Sequence, residues 1–126
     1  LINVNSVVKI NMTKVNQLAK AQITALEKTA EALHTEEVQA QVMPRNTGAL
    51  QNESTFVDYS DCANGKASLV STVPYARKVY FHPEFNFRKT ENANAKGLWH
   101  EDWIDGEAKD FCKNAFKEFY RQEGGL

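Results

Sequence analysis

One periodic run constrains this chain more than any other feature. Val15, Leu18, Ala19, Ile23, Leu26, Ala30 and Leu33 recur at steps of three and four residues. That spacing lines one face of a helix. Asn11 or Thr13 can open it by accepting an orphan backbone N–H. Pro44 must close it, because the residue before a proline is pushed out of the α region. The sequence therefore predicts a helix running towards Val42, with Lys14, Lys20, Glu27, Lys28 and Glu31 on its solvated face. A chain of 126 residues has room for one hydrophobic core around such a helix, so a single domain over 1–126 is expected and a large multidomain enzyme is excluded.

The flanks read differently. Leu1 to Ile10 is β-branched and partly alternating, through Ile2, Val4, Val8 and Ile10, which predicts a strand at a sheet edge. Beyond the helix, Pro44-Arg45-Asn46-Thr47-Gly48 is a turn or loop. Thr55 to Ala63 and Lys66 to Val73 flank Asn64-Gly65, the dipeptide preferred in two-residue hairpin turns. This register pairs Tyr59 with Val70 and Phe56 with Val73. Phe56, Cys62, Ala67, Leu69 and Val73 then share one face, and Val57, Tyr59 and Val70 the other. With apolar groups on both faces, the sheet is either covered on both sides or offers one side to a partner.

Pro74 ends the second strand. Tyr75, Ala76, Val79 and Tyr80 suit one or two helical turns, with a strand as the alternative. From Phe81 to Gly97 no period persists, yet Phe81, Phe85 and Phe87 precede Trp99 and Trp103. A loop of this length with so many aromatics is rarely only a linker. Ile104 to Gln122 predicts a second amphipathic helix, with Ala108, Phe111, Cys112, Ala115, Phe116 and Phe119 on one face. Asp105 and Glu107 at its start, and Lys117 and Arg121 near its end, complement the helix dipole. The expected class is α+β: a small antiparallel sheet with a long N-terminal helix and a C-terminal amphipathic helix.

Charge and composition exclude several roles. Fifteen Lys and Arg against sixteen Asp and Glu leave a net of -1, unlike a protein that lives on duplex DNA. No apolar run approaches the roughly 20 residues that span a bilayer, and no signal peptide is visible, although the chain opens on Leu1 rather than Met. Cys62 and Cys112 form no CxxC and no Cys/His cluster, and read as reduced thiols, Cys112 among phenylalanines. The sequons at Asn11 and Asn52 carry no weight without a secretory signal. Residues 91–126 hold five basic and eight acidic groups, a hint towards a basic partner surface.

Motifs for enzymatic chemistry are sparse. GxSxG, GxGxxG and the P-loop are absent. The best cluster for a Mg²⁺ or Mn²⁺ phosphodiesterase is His82 with His100, Glu101, Asp102 and Asp105. Glu101 and Asp102 are adjacent, however, and more simply favour a helix N-terminus. His34, beside Thr35, Glu36 and Glu37, reads as a solvated helical histidine. Trp99 and Trp103, four apart, suit core anchors, an assembly interface or a base-stacking platform, and their acidic neighbours oppose stacking.

The motif order adds a resemblance. Pro44, Thr47, Gly48 and Leu50 in Pro-Arg-Asn-Thr-Gly-Ala-Leu, then Ser54, then Val73-Pro74-Tyr75-Ala76, a Trp-bearing loop and a final helix are similar to the minor capsid proteins of tailed bacteriophages with long non-contractile tails, in the head–tail connector and tail-completion group. The likeness spans about residues 10 to 120. It implies a structural virion protein of a phage or prophage, made in the bacterial host cytoplasm and joining head to tail as an oligomeric ring. Its implied partners are other copies of itself and the portal, connector and tail proteins, with no cofactor, no metal, no catalysis, no membrane and no specific nucleic acid. Pro44, Thr47, Gly48, Leu50, Ser54, Pro74, Tyr75 and Ala76 would be fold motifs, and Phe85, Phe87, Trp99 and Trp103 candidates for the assembly interface. A capsid decoration or accessory protein, and the metal phosphodiesterase above, are the alternatives.

Overall fold

The computed structural model describes residues 3–44, 55–90 and 92–126. Helix α1 spans Met12–Ala40, 29 residues, or roughly 44 Å at 1.5 Å per residue. Asn11 opens it as the sequence predicts, its Oδ1 accepting from the Lys14 N–H at 3.1 Å. Gln41 closes it in the left-handed region (φ 57°), its N–H donating to the Val38 carbonyl. The most deeply buried line on α1 is not the run of large apolar residues but a row of small ones. Ala21, Ala25 and Thr29 are buried, with Thr29 Oγ1 bonded back to the Ala25 carbonyl at 2.7 Å, while Val15 stays 43% exposed. Small side chains let helix α4, Phe111–Glu123, approach closely.

The two helices run antiparallel. Burial, and after it the charge of Glu37 near the end of α1, pushes up the thiol pKa of Cys112 at the start of α4. At the opposite end the Lys14 ammonium bonds the Gly124 carbonyl. The close is tight at Gly124, where a Cβ would come within 2.9 Å of the flexible Leu18 Cδ2 and 3.0 Å of the Tyr120 carbonyl oxygen.

The sheet has two antiparallel strands, β1 (Thr55–Asp58) and β2 (Ser68–Ser71). Its register differs from the expected one: Phe56 pairs with Val70 and Val57 with Leu69. The shift is odd, so the residues sharing a face change. Phe56 and Val70 lie together on one side, Val57 and Leu69 on the other. The cause lies in the connection. Cys62–Asn64 forms a 3₁₀ turn that buries Cys62, and Gly65 (φ 84°) ends this turn rather than a two-residue hairpin. Asn64 Nδ2 donates to Asp61 Oδ1 at 2.7 Å and Ser60 N–H to Asp58 Oδ1 at 2.9 Å, side-chain bonds that favour the longer loop.

Two further expectations are corrected. Residues 3–10 form no strand; they run irregular and exposed ahead of α1. The helix expected over Ile104–Gln122 begins only at Phe111, as α4, with a separate short α3 (Glu101–Ile104) and α2 (Ala76–Tyr80) before it. At the break both Asp105 and Gly106 donate to the Glu101 carbonyl, at 2.9 and 3.0 Å, and Ala108 donates to that of Asp102 at 2.9 Å. Gly106 passes so near Asp102 that a Cβ would lie 2.7 Å from its Cα. A continuous helix cannot hold that approach, so Asp105 and Glu107 belong to the turn and not to the start of α4. The rest of the expected α+β class is as observed, mostly helical with a small antiparallel sheet.

Candidate functional site

The main apolar cluster joins the end of α1 to the second half of the chain. Val42, Met43, Ala76, Trp99 and Trp103 are buried together, flanked by Leu33, Val79, Tyr80 and Phe111. Trp99 is 1% exposed and Trp103 9%. Both therefore act as core anchors, which removes them from the expected interface set. Tyr80 meets Trp99 edge to face at 4.7 Å, a geometry in which the positive ring edge faces the negative ring face. Burial pushes the Tyr80 hydroxyl pKa up, with Glu101 adding to the effect.

Backbone bonds hold the segment before Trp99 against the end of α1. Lys96 donates to the Val42 carbonyl at 3.0 Å, Asn94 to that of Gln41 at 3.2 Å, and the Asn92 side chain to that of Met43 at 2.8 Å. Leu98, at φ 49°, turns its N–H to the Tyr80 carbonyl at 2.9 Å. Gly97 permits this crossing. A Cβ there would meet Pro83 Cα at 2.7 Å and the Tyr80 carbonyl oxygen at 3.1 Å.

A buried carboxylate lies under this cluster. Glu37 is 1% exposed, and its Oε1 bonds His100 Nδ1 at 2.6 Å. The other oxygen, Oε2, is enclosed with no partner among the described residues, as are His34 Nε2, Trp99 Nε1 and Trp103 Nε1. His34 is accordingly half-buried rather than the solvated residue expected. Glu37 was legible in outline: Leu26, Ala30 and Leu33 lead by steps of four, three and four to position 37, on the apolar stripe. A carboxylate there calls for a buried partner.

The other predicted residues divide. Pro44 is half-buried, Pro74 exposed, Tyr75 44% exposed and Ala76 buried. Thr47, Gly48, Leu50 and Ser54 lie outside the described residues. Phe85 is exposed, stacking on His82 with ring centres 4.8 Å apart, and the half-buried Phe87 lies 6.4 Å from Phe85. Phe81, 61% exposed, packs edge-on against Tyr80. Two aromatic groups are thus present here: Phe81 on Tyr80, and Phe85 between His82 and Phe87.

The candidate metal ligands are not gathered. His82 bonds Glu84 at 2.7 Å, His100 bonds Glu37, and Asp102 bonds Lys96 at 2.7 Å. Among the described residues no group of three His, Cys, Asp or Glu side chains is arranged to hold a metal ion. A shallow pocket of about 190 Å³ is lined by Ser71, Ala76, Arg77, Tyr80, Phe81, Trp99 and His100, and open clefts of about 460–500 Å³ lie elsewhere on the surface, one of them lined by Thr24, Glu27, Lys28, Glu31 and Tyr59. Among the described residues no helix is long and apolar enough to cross a membrane. No family model, no curated protein and no solved structure matches this chain.

Proposed function

We propose that this chain is a structural virion protein of a tailed phage or prophage that joins head to tail as part of an oligomeric ring. The motif order described above brings the reading to the chain. The observation that carries it furthest is the displayed apolar surface. Phe56, Tyr75, Phe81 and Phe85 are 39–61% exposed, and Val4, Val7, Val8 and Ile10 are 65–84% exposed. Exposed aromatic side chains of this kind serve as anchors in protein interfaces. A ring of identical subunits needs two different complementary surfaces on each copy, and the exposed segment 3–10 and the aromatic side chains Phe81 and Phe85 are separate features of this chain.

The buried tryptophans move the contact surface in this proposal to Tyr75, Phe81, Phe85 and Phe87. Electron microscopy of lysates from a phage carrying a stop codon in this gene tests the role. Full heads beside separate, complete tails are expected. Heads joined normally to tails would refute it and favour a decoration protein.

A further inference from the structure

Helix α2 carries Ala76 into the core and leaves Arg77 and Lys78 exposed. Phe81 follows Arg77 by one turn and is 61% exposed, its ring resting edge-on against Tyr80. Pro74, Arg77, Lys78, Phe81 and His82 line an open cleft of about 490 Å³. The nearest carboxylate along the chain, Glu84, is held by His82 at 2.7 Å, and neither Arg77 nor Lys78 has an ion pair among the described residues. The cleft thus sets an apolar ring beside two uncompensated cations. Its complement is an apolar side chain flanked by carboxylates.

The chain carries that complement on its own surface. Ile104, at the end of α3, is 64% exposed, and Asp105, Glu107 and Asp110 follow it, all exposed and none in an ion pair among the described residues. Lys109 is the one base from 101 to 110. Backbone bonds fix the turn, with Asp105 and Gly106 both donating to the Glu101 carbonyl and Ala108 to that of Asp102. A turn held in this way docks with little ordering cost. Phe81 and Ile104 both stay in solvent, so the two surfaces do not satisfy each other within one chain.

We infer that the α3–α4 turn of one copy docks on the α2 cleft of a second copy, with Ile104 against Phe81 and Asp105 and Glu107 against Arg77 and Lys78. Wrong pairings are repelled, since cleft on cleft sets cation against cation and turn on turn carboxylate against carboxylate. Cations beside exposed rings also suit single-stranded nucleic acid. The chain's net charge of -1 and its own rigid acidic turn favour the second copy. The contact joins two different patches, as a ring requires, and rests on the reading above for its place in a virion.

Sedimentation equilibrium of the full chain from about 1 µM to about 100 µM, at low and at high salt, tests it. The mass is expected to rise with concentration and to fall as salt is added. Two double variants separate the halves: Arg77→Glu with Lys78→Glu, and Asp105→Lys with Glu107→Lys. Each should keep the parent's far-UV circular dichroism spectrum and weaken self-association at least about tenfold. Mixed one to one they should associate again, because each keeps the half that the other has lost. Ile104→Ser leaves every charge in place and should weaken association through the apolar half, which keeps the test open if a double variant unfolds. Three results would overturn the inference: a monomer at every concentration, association indifferent to salt and to these variants, or a mixture no heavier than its components. A monomer that binds a fluorescein-labelled oligothymidylate, and loses it with Arg77→Glu and Lys78→Glu, would give the cleft to nucleic acid instead. The purified chain reads this contact and the stop-codon phage reads the head–tail role, so their failures are distinguishable.

Discussion

Glu37 and His100 should respond unequally to truncation. Glu37 is 1% exposed and, among the described residues, has one side-chain hydrogen bond, 2.6 Å to His100 Nδ1, with Oε2 unpartnered. The His100 side chain keeps 27% of its surface in solvent. His100→Ala leaves a buried carboxylate with no protein hydrogen bond at either oxygen, and removing one member of a buried pair in this way costs about 3–5 kcal/mol. Glu37→Met fills similar volume with an apolar chain and leaves a histidine that water can reach, so its cost should stay below about 1.5 kcal/mol. In the Glu37→Met background, His100→Ala should then add about 1 kcal/mol or less, because the charge it strands is gone. Urea unfolding followed by tryptophan fluorescence is the assay. Trp99 and Trp103 are the two tryptophans of the chain and sit beside the pair. Equal losses for the two single variants, or strict additivity in the double variant, would refute the argument that burial of the carboxylate makes the difference.

Two other predictions concern single contacts. Gly97→Ala pushes a Cβ against Pro83 backbone at 2.7 Å, and should lower stability by about 1–3 kcal/mol in a thermal melt; an unchanged melting temperature would mean that the crossing of 97 over 80–83 is loose. Tyr59 donates its hydroxyl proton to Glu31, and that bond pushes its pKa up from 10.0 to about 12. The protonated phenol is favoured in the folded chain, so this stabilising effect is whole below pH 10 and is lost as pH rises towards 12. Absorbance at the phenolate band should show Tyr59 titrating late, and Glu31→Gln should return it towards the ordinary value; a titration unaffected by Glu31→Gln would remove the bond from the account.

Local chemistry made α1, α4 and the punctuation between elements readable. Asn11 supplies a cap and Pro44 a stop, whatever surrounds them, and the three-and-four spacing of apolar residues names a helix before any partner is known. The hairpin was half legible. Its strands follow from composition, but its register depends on where Cys62 is buried, and burial of one side chain under α1 outweighed the turn preference of Asn64-Gly65. The single helix expected from Ile104 onward failed for a related reason. Its apolar face was visible, while the crossing of Gly106 over Asp102 is a contact between backbones that no periodicity records.

The candidate site divides along the same line. That Phe81, Phe85, Phe87, Trp99 and Trp103 matter as a group is evident from a loop too aromatic to be a linker. Which of them are displayed and which enclosed follows from the backbone bonds that tie 92–98 to 40–43 and to Tyr80, and those draw both tryptophans inward. Sequence by itself determined the long first helix, its cap and its stop, and the apolar face of the last helix, because these rest on neighbours three or four residues apart. Tertiary structure alone decided the strand register, the break before α4 and the pairing of Glu37 with His100, 63 residues away, because close packing selects among partners that local chemistry leaves equivalent.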